Sequence, residues 1–302
     1  INRIARAHAE FIEGAEHIYA WRQLRNVQLP LGLLVVWIFA FFGALAIPTH
    51  FSYQPYVDTF HEGEALGTAQ SLSEDSRPYR DAIFIHGAYQ DPLRAKLAFK
   101  LFGRSIGSVR ALESIHKVLS FIVLSSFLWV LFAGRFVAVF GSLAFLLLLH
   151  NLPTTGLAPY LWVPPRDMLV FASLFCLFKI GFYLREKLLE PPIFSVFFFG
   201  MLSTGAFAYS VDRAFQLGFA LLFLFGLTLV VGLFKKSYAR SLLVPVLLGA
   251  GGGLGLLAFC LQGEFNAFFD FVFIKLPLMK DFLDGLPYPV HDLTHFILVL
   301  LV

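Results

Sequence analysis

Charge is scarce in this sequence. Asp, Glu, Lys and Arg together make up 14% of the chain, against 58% hydrophobic residues. A soluble domain carries nearly twice that charge, so a soluble globular enzyme is not the first reading. The net charge of +3 is too small to imply a nucleic-acid partner. The two cysteines, Cys176 and Cys260, both fall inside apolar runs, which argues against a disulfide framework. There is no glycine-rich phosphate loop, no Walker lysine and no serine-nucleophile elbow, which argues against a cytosolic nucleotide-using enzyme. No complete metal signature such as HExxH occurs either.

What the sequence does have is long apolar runs, separated by bands of charge. That pattern predicts an all-α polytopic integral membrane protein with about eight transmembrane helices, the last cut short. The predicted spans are Leu29–Ile47 and then 110–133, 136–150, 166–184, 192–209, 214–234 and 241–262, with an eighth beginning near His291. The run reaching Val302 holds only about a dozen apolar residues, short of the roughly 20 a span requires. The natural chain is therefore expected to extend past one or both ends. Residues 1–27 read as an amphipathic helix on the cytoplasmic side, against the membrane surface or a protein partner. The remainder, 28–302, reads as one membrane domain with a long outer loop at 48–108. Within that loop Asp91 and Pro92 predict the start of an interfacial helix, with Asp91 as its cap. A further interfacial helix is predicted at 264–276, where Phe265, Phe268, Phe269, Val272, Phe273 and Leu276 form one stripe.

The short loops sort by charge. Arg3, Arg6, Arg22, Arg25, Arg135, Lys179, Arg185, Lys187, Lys235, Lys236 and Arg240 share one side if the spans alternate. The positive-inside rule makes that side cytoplasmic. Asp58, His61, Glu62, Glu64, His86, Asp91, Asp167, Asp212, Arg213, Lys275, His291 and His295 then gather on the outer side.

The segment Tyr56–Glu64 packs three carboxylates and an imidazole into a chain that is mostly hydrocarbon. Each acid has a plain role open to it. Thr59 and Glu62 have capping-box spacing, and acids in a first turn complement the helix dipole. One acid suffices for a cap, however, and burial at the membrane boundary raises a carboxylate toward the range of a base. His61 with Glu62, or His291 with His295 at i, i+4, could ligate a divalent metal; no cofactor is firmly expected. Asp212-Arg213 and Arg166-Asp167 open two predicted spans. Each is either an ion pair at a helix end or a binder for an anionic head group.

The order of motifs resembles a known family. Asp58–Glu64 is followed by Pro78-Tyr79-Arg80-Asp81, then Phe84-Ile85-His86-Gly87, then Leu101-Phe102-Gly103, then Arg110. Tyr209-Ser210-Val211-Asp212-Arg213 matches a later segment. This order is similar to that of the polytopic type C glycosyltransferases, which include protein O-mannosyltransferases, aminoarabinose transferases of lipid A and bacterial relatives. The strong part covers about residues 28–135, and the remainder agrees in hydropathy. The resemblance implies a lipid-linked sugar donor on a polyprenyl phosphate, an active site on the extracytoplasmic face of a bacterial plasma membrane, and a general base in the first outer loop. That base maps to Asp58, with Glu62 and Glu64 as rivals. Many relatives have adjacent Asp-Glu here, whereas this chain separates Asp58 from Glu62 by Thr-Phe-His. His61, His86, Arg166, Arg213, Lys275 and His291 are the expected substrate-binding residues. The alternative function is a non-catalytic assembly subunit of a larger membrane complex built on the same scaffold.

Overall fold

The structure is a computed structural model that describes residues 31–46, 61–72, 76–132, 134–151, 164–186, 192–234 and 236–278. Among them every regular element is helical and no strand occurs. The predicted N-terminal helix, Asp58, His291 and the predicted eighth span lie outside these residues.

Long helices occupy the predicted apolar runs: α1 (Leu31–Ala46), α4 (Ile106–Leu131), α5 (Phe136–Asn151), α6 (Pro164–Glu186), α7 (Ile193–Tyr209), α8 (Val211–Phe234) and α9 (Lys236–Leu261). Ile106–Leu131, Val211–Val230 and Ser241–Leu261 are long and apolar enough to cross a membrane; α1, α5 and α7 are apolar but shorter. This architecture is compatible with an integral membrane protein. The three long helices differ in role. More than half of the apolar window of α4 is buried (56%), against 22% for that of α8. α4 is therefore a central helix, while α8 turns Phe219, Leu222 and Phe223 outward, where they need hydrocarbon around them.

Two kinds of packing hold the long helices. α1, α4 and α5 interlock through large side chains, among them Phe121, Leu128, Trp129 and Leu143. α7 and α9 instead meet backbone to backbone. A Cβ on Gly249 would stand 2.8 Å from the carbonyl carbon of Phe197, and one on Gly253 would stand 2.7 Å from the amide of Gly205. Only glycine allows that approach, which lipid cannot drive by hydrophobicity and which dispersion must reward.

Between α1 and α4 lies a cap of short elements. α2 (His61–Ser71) comes first, then a turn near 77–88, a π-helical turn at Tyr89–Leu93, and α3 (Arg94–Phe102). The predicted helix start is corrected here. Asp91 does not cap; its carboxylate accepts the amide of His86, 3.0 Å away. Pro92 has no N–H to give, and the helix widens around it, with Leu93 N reaching back to Ala88 O at 3.0 Å. The predicted helix at 264–276 is also present, as α10 (Phe265–Asp270) followed by a second π-helical turn, Phe271–Lys275. Its predicted stripe is split: Phe268 and Val272 are buried, together with Phe271 from off the stripe, whereas Phe269 and Phe273 face outward.

Candidate functional site

The cap is fastened to the long helices at three places, and polar residues mark each of them. Glu62 on α2 meets Arg110 on α4 in a two-pronged pair: Arg110 Nε lies 2.5 Å from Oε1 and Nη2 2.9 Å from Oε2. Both oxygens of the carboxylate thus accept from one guanidinium, the strongest ion-pair geometry available. Three residues further along α4, Glu113 accepts from Arg94 of α3 at 3.3 Å.

The second fastening involves two tyrosines and a histidine. His116 is buried on α4, with Nδ1 2.8 Å from the carbonyl oxygen of Leu112. A carbonyl only accepts, so this geometry assigns the proton to Nδ1. In the neutral ring Nε2 then accepts from the hydroxyl of Tyr89, 2.6 Å away. The ring of Tyr89 stacks on Tyr209 at the end of α7, with centroids 5.0 Å apart and planes 16° from parallel. Burial raises the pKa of Tyr89, opposed by nearby Arg94, so its hydroxyl keeps its proton at neutral pH.

The third fastening carries the His-Gly motif. The carbonyl of His86 accepts from the amide of Val211 at 2.9 Å, the first residue of α8. Gly87 has φ +125°, and a Cβ there would press to 3.1 Å on the carbonyl oxygen of Tyr209. Glycine is therefore demanded twice, by conformation and by space. Beside this contact Arg213 binds Asp167 at the start of α6, and Asp212 lies 3.5 Å from Arg213 and 3.9 Å from Arg166. Ser210 donates to Asp212.

A hydrophobic knot pins the turn between these points. Tyr79 has φ +63°, a left-handed conformation that costs a residue with a Cβ about 1–2 kcal/mol. Its ring is buried against Phe84, Phe268 and Phe271, with centroids 5.0–5.5 Å apart, and this burial offsets the strain. Burial, reinforced by the charge of Asp91, pushes the pKa of Tyr79 well above the ordinary phenol value. Arg77 and Arg80 reach Glu264 just before α10, at 2.8 and 3.8 Å.

The cap thus brings His86, Arg166 and Arg213 to one region, the entrances of α6 and α8. Glu62 is engaged with Arg110 on the other flank of the cap. Lys275 is not brought in; it is exposed and pairs with Asp270 of its own segment at 2.7 Å. The backbones of His61 and Glu64 belong to α2. Asp58 and His291 lie outside the described residues. Among the described residues no group of three or more His, Cys, Asp or Glu side chains converges as a metal site would. Arg94, Glu113, His116, Lys117 and the Tyr89–Tyr209 stack were not predicted as site residues. A signal for part of this existed. Glu113, Lys117 and Ser120 follow Arg110 at helical spacing in a run otherwise read as a span, and His116, Lys117 and Ser120 are all buried.

In comparisons with known proteins, no family model matches the chain, and no curated protein or solved structure matches it.

Proposed function

We propose that the chain is a membrane glycosyltransferase of the type C kind, with about eight spans, working on the extracytoplasmic face of a bacterial plasma membrane. It moves a sugar from a polyprenyl phosphate to an acceptor hydroxyl. The observation that carries this reading is the fastening of the first outer loop, through His86 and Tyr89, to the helix entrance where Arg166, Asp167, Asp212 and Arg213 cluster. A reaction of this class needs an acid from the loop and cations from the helix ends in one wet pocket. In the reaction the acceptor oxygen bonds the anomeric carbon from the side opposite the phosphate, which inverts it. The carbon–oxygen bond to the phosphate breaks, and its electron pair leaves on the lipid phosphate. The acceptor's proton goes to Asp58.

The roles divide by what each group is already doing. Both oxygens of Glu62 accept from Arg110, so Glu62 serves this reading best as the strut that sets the loop, and Asp58 serves as the base. Arg213 and Arg166 face the departing phosphate, where a preorganised cation is worth on the order of 100-fold in rate or more. The test is transfer by the purified full chain in proteoliposomes from a polyprenyl-phosphate sugar. Asp58→Asn should abolish transfer in a protein that folds normally, and Arg213→Gln should reduce it about 100-fold. Undiminished transfer by Asp58→Asn would end this mechanism.

One observation favours the second reading, a non-catalytic assembly subunit. Asp167 and Asp212 already surround Arg213, as they would in a purely architectural cap. That reading predicts stoichiometric retention of the chain in a larger membrane complex, undisturbed by Asp58→Asn.

A further inference from the structure

α3 has an edge that its neighbours leave open. Its Ala95 and Ala98 are buried against Ala65 and Ala69 of α2 and Val109 and Leu112 of α4. At about 100° per residue, Leu97 and Lys100 fall on the opposite side and Leu101 on its flank. Leu97, Leu101 and Phe102 are 36%, 57% and 49% exposed. The charge on this stretch has one sign: from Arg94 to Arg104 there are four cations and no carboxylate. Arg94 turns inward to Glu113, and Lys96 donates to the carbonyl of Leu72. Lys100 is left on the open side, and Arg104, exposed in the turn after α3, donates to the amide oxygen of Gln70 on α2.

The next helix fixes the level of this edge. Gly103–Ser105 turns directly into α4, whose first turn is capped by the hydroxyl of Ser105. Further along α4, Ile115 and Leu119 are each 44% exposed, one turn apart. Leu97 and Leu101 on α3 and Ile115 and Leu119 on α4 are thus open apolar pairs on successive helices, the second long enough to cross a membrane. An amphipathic helix with leucines outward and lysine and arginine beside them matches the boundary between acyl chains and acidic headgroups.

We infer that α3 and the turn after it form a seat for acidic phospholipid headgroups at the bilayer surface, with Lys100 and Arg104 as the headgroup contacts and Leu97, Leu101 and Phe102 as the anchors. The inference is independent of the transfer reaction. It is tested on the full chain in lipid nanodiscs. A nitroxide at Leu101→Cys should collide with a water-borne nickel chelate about fivefold less often than one at Ser71→Cys, which is exposed on α2. Replacing part of the phosphatidylcholine by phosphatidylglycerol should slow amide exchange over 96–102 about tenfold. That slowing should vanish in Lys100→Glu/Arg104→Glu, and in the unmodified chain at about 1 M salt. The salt arm stands even if the charge-reversed variant fails to fold. Equal collision at the two sites would mean that water, or an absent protein partner, covers this edge, and would overturn the seat. Slowing by phosphatidylglycerol that survives both charge reversal and salt would overturn the headgroup contacts.

Discussion

The seam between α7 and α9 and the cap over α4 solve the same problem by opposite means. In the seam, glycines bring two backbones together, and Val196 and Phe199 of α7 then bury against Leu242 and Val246 of α9. In the cap, arginines, acids and tyrosines reach across gaps between short elements. The difference arises from the surroundings. Inside a bilayer, lipid competes equally well for apolar side chains, so helices associate through close fit. Where water and fixed charge are both at hand, pairs such as Glu62–Arg110 can orient a loop. A loop held by directional contacts can present chemistry; a seam held by shape can only hold.

The largest test of this contrast lies within α9 itself. Gly253→Leu drives a side chain into the backbone of Gly205 and Met201, and should cost at least about 3 kcal/mol of stability in mild detergent. Gly251 and Gly252 have nothing within 4 Å of a Cβ. Gly251→Ala should therefore be neutral, or stabilising by up to about 1 kcal/mol, since alanine is the better helix former. Thermal unfolding followed by size-exclusion recovery separates the two. Similar losses at Gly253 and Gly251 would mean that the seam is not what glycine is for.

Next in size is the cap's first fastening. Glu62→Leu or Arg110→Met alone leaves a partly buried charge without its partner, and each should cost about 2–3 kcal/mol. The double variant should recover much of that loss, because two apolar groups replace a matched pair. A double-mutant cycle measures it directly. If the two losses simply add, the cap does not depend on this pair.

The apolar runs that became helices were readable because hydrocarbon leaves the backbone no alternative to bonding within itself. Their ends shifted by a few residues: α9 starts at Lys236, ahead of the predicted 241. The His-Gly motif and Asp212-Arg213 were legible as polar groups at the predicted outer face. Their union through His86 and Val211 was not, because a backbone hydrogen bond across 125 residues leaves no mark on side-chain pattern. Asp91 misled for a related reason. Asp before Pro looks like a cap locally, but the carboxylate accepts from the amide of His86 instead. His116 and Lys117 were passed over because a long hydropathy window averages them away among leucines and phenylalanines.

A smaller effect is expected at the second fastening. Tyr89→Phe removes the hydroxyl donated to Nε2 of His116 and keeps the ring on Tyr209. The loss should be about 1 kcal/mol, that of one neutral hydrogen bond to a buried acceptor. Tyr89→Ala, which removes the stack as well, should cost clearly more. Equal losses would show that the hydroxyl alone ties the π-helical turn to α4.

The smallest effect should fall on the one hydrogen bond described between the helices of the seam. Thr204 Oγ lies 2.9 Å from the carbonyl of Ala250 on α9 and 3.1 Å from that of Gly200 on its own helix. Its single proton is shared between two carbonyls. The carbonyl that loses it can keep its bond within its own helix. Thr204→Val preserves the branched shape and should cost only about 0.6 kcal/mol, the average for such bonds between membrane helices. Valine also keeps the contact with Gly253, so shape and hydrogen bonding separate cleanly at this position. A loss above about 2 kcal/mol would exceed the largest values measured for such bonds. The seam would then be held by polarity, as the cap is, and the contrast between the two regions would fail.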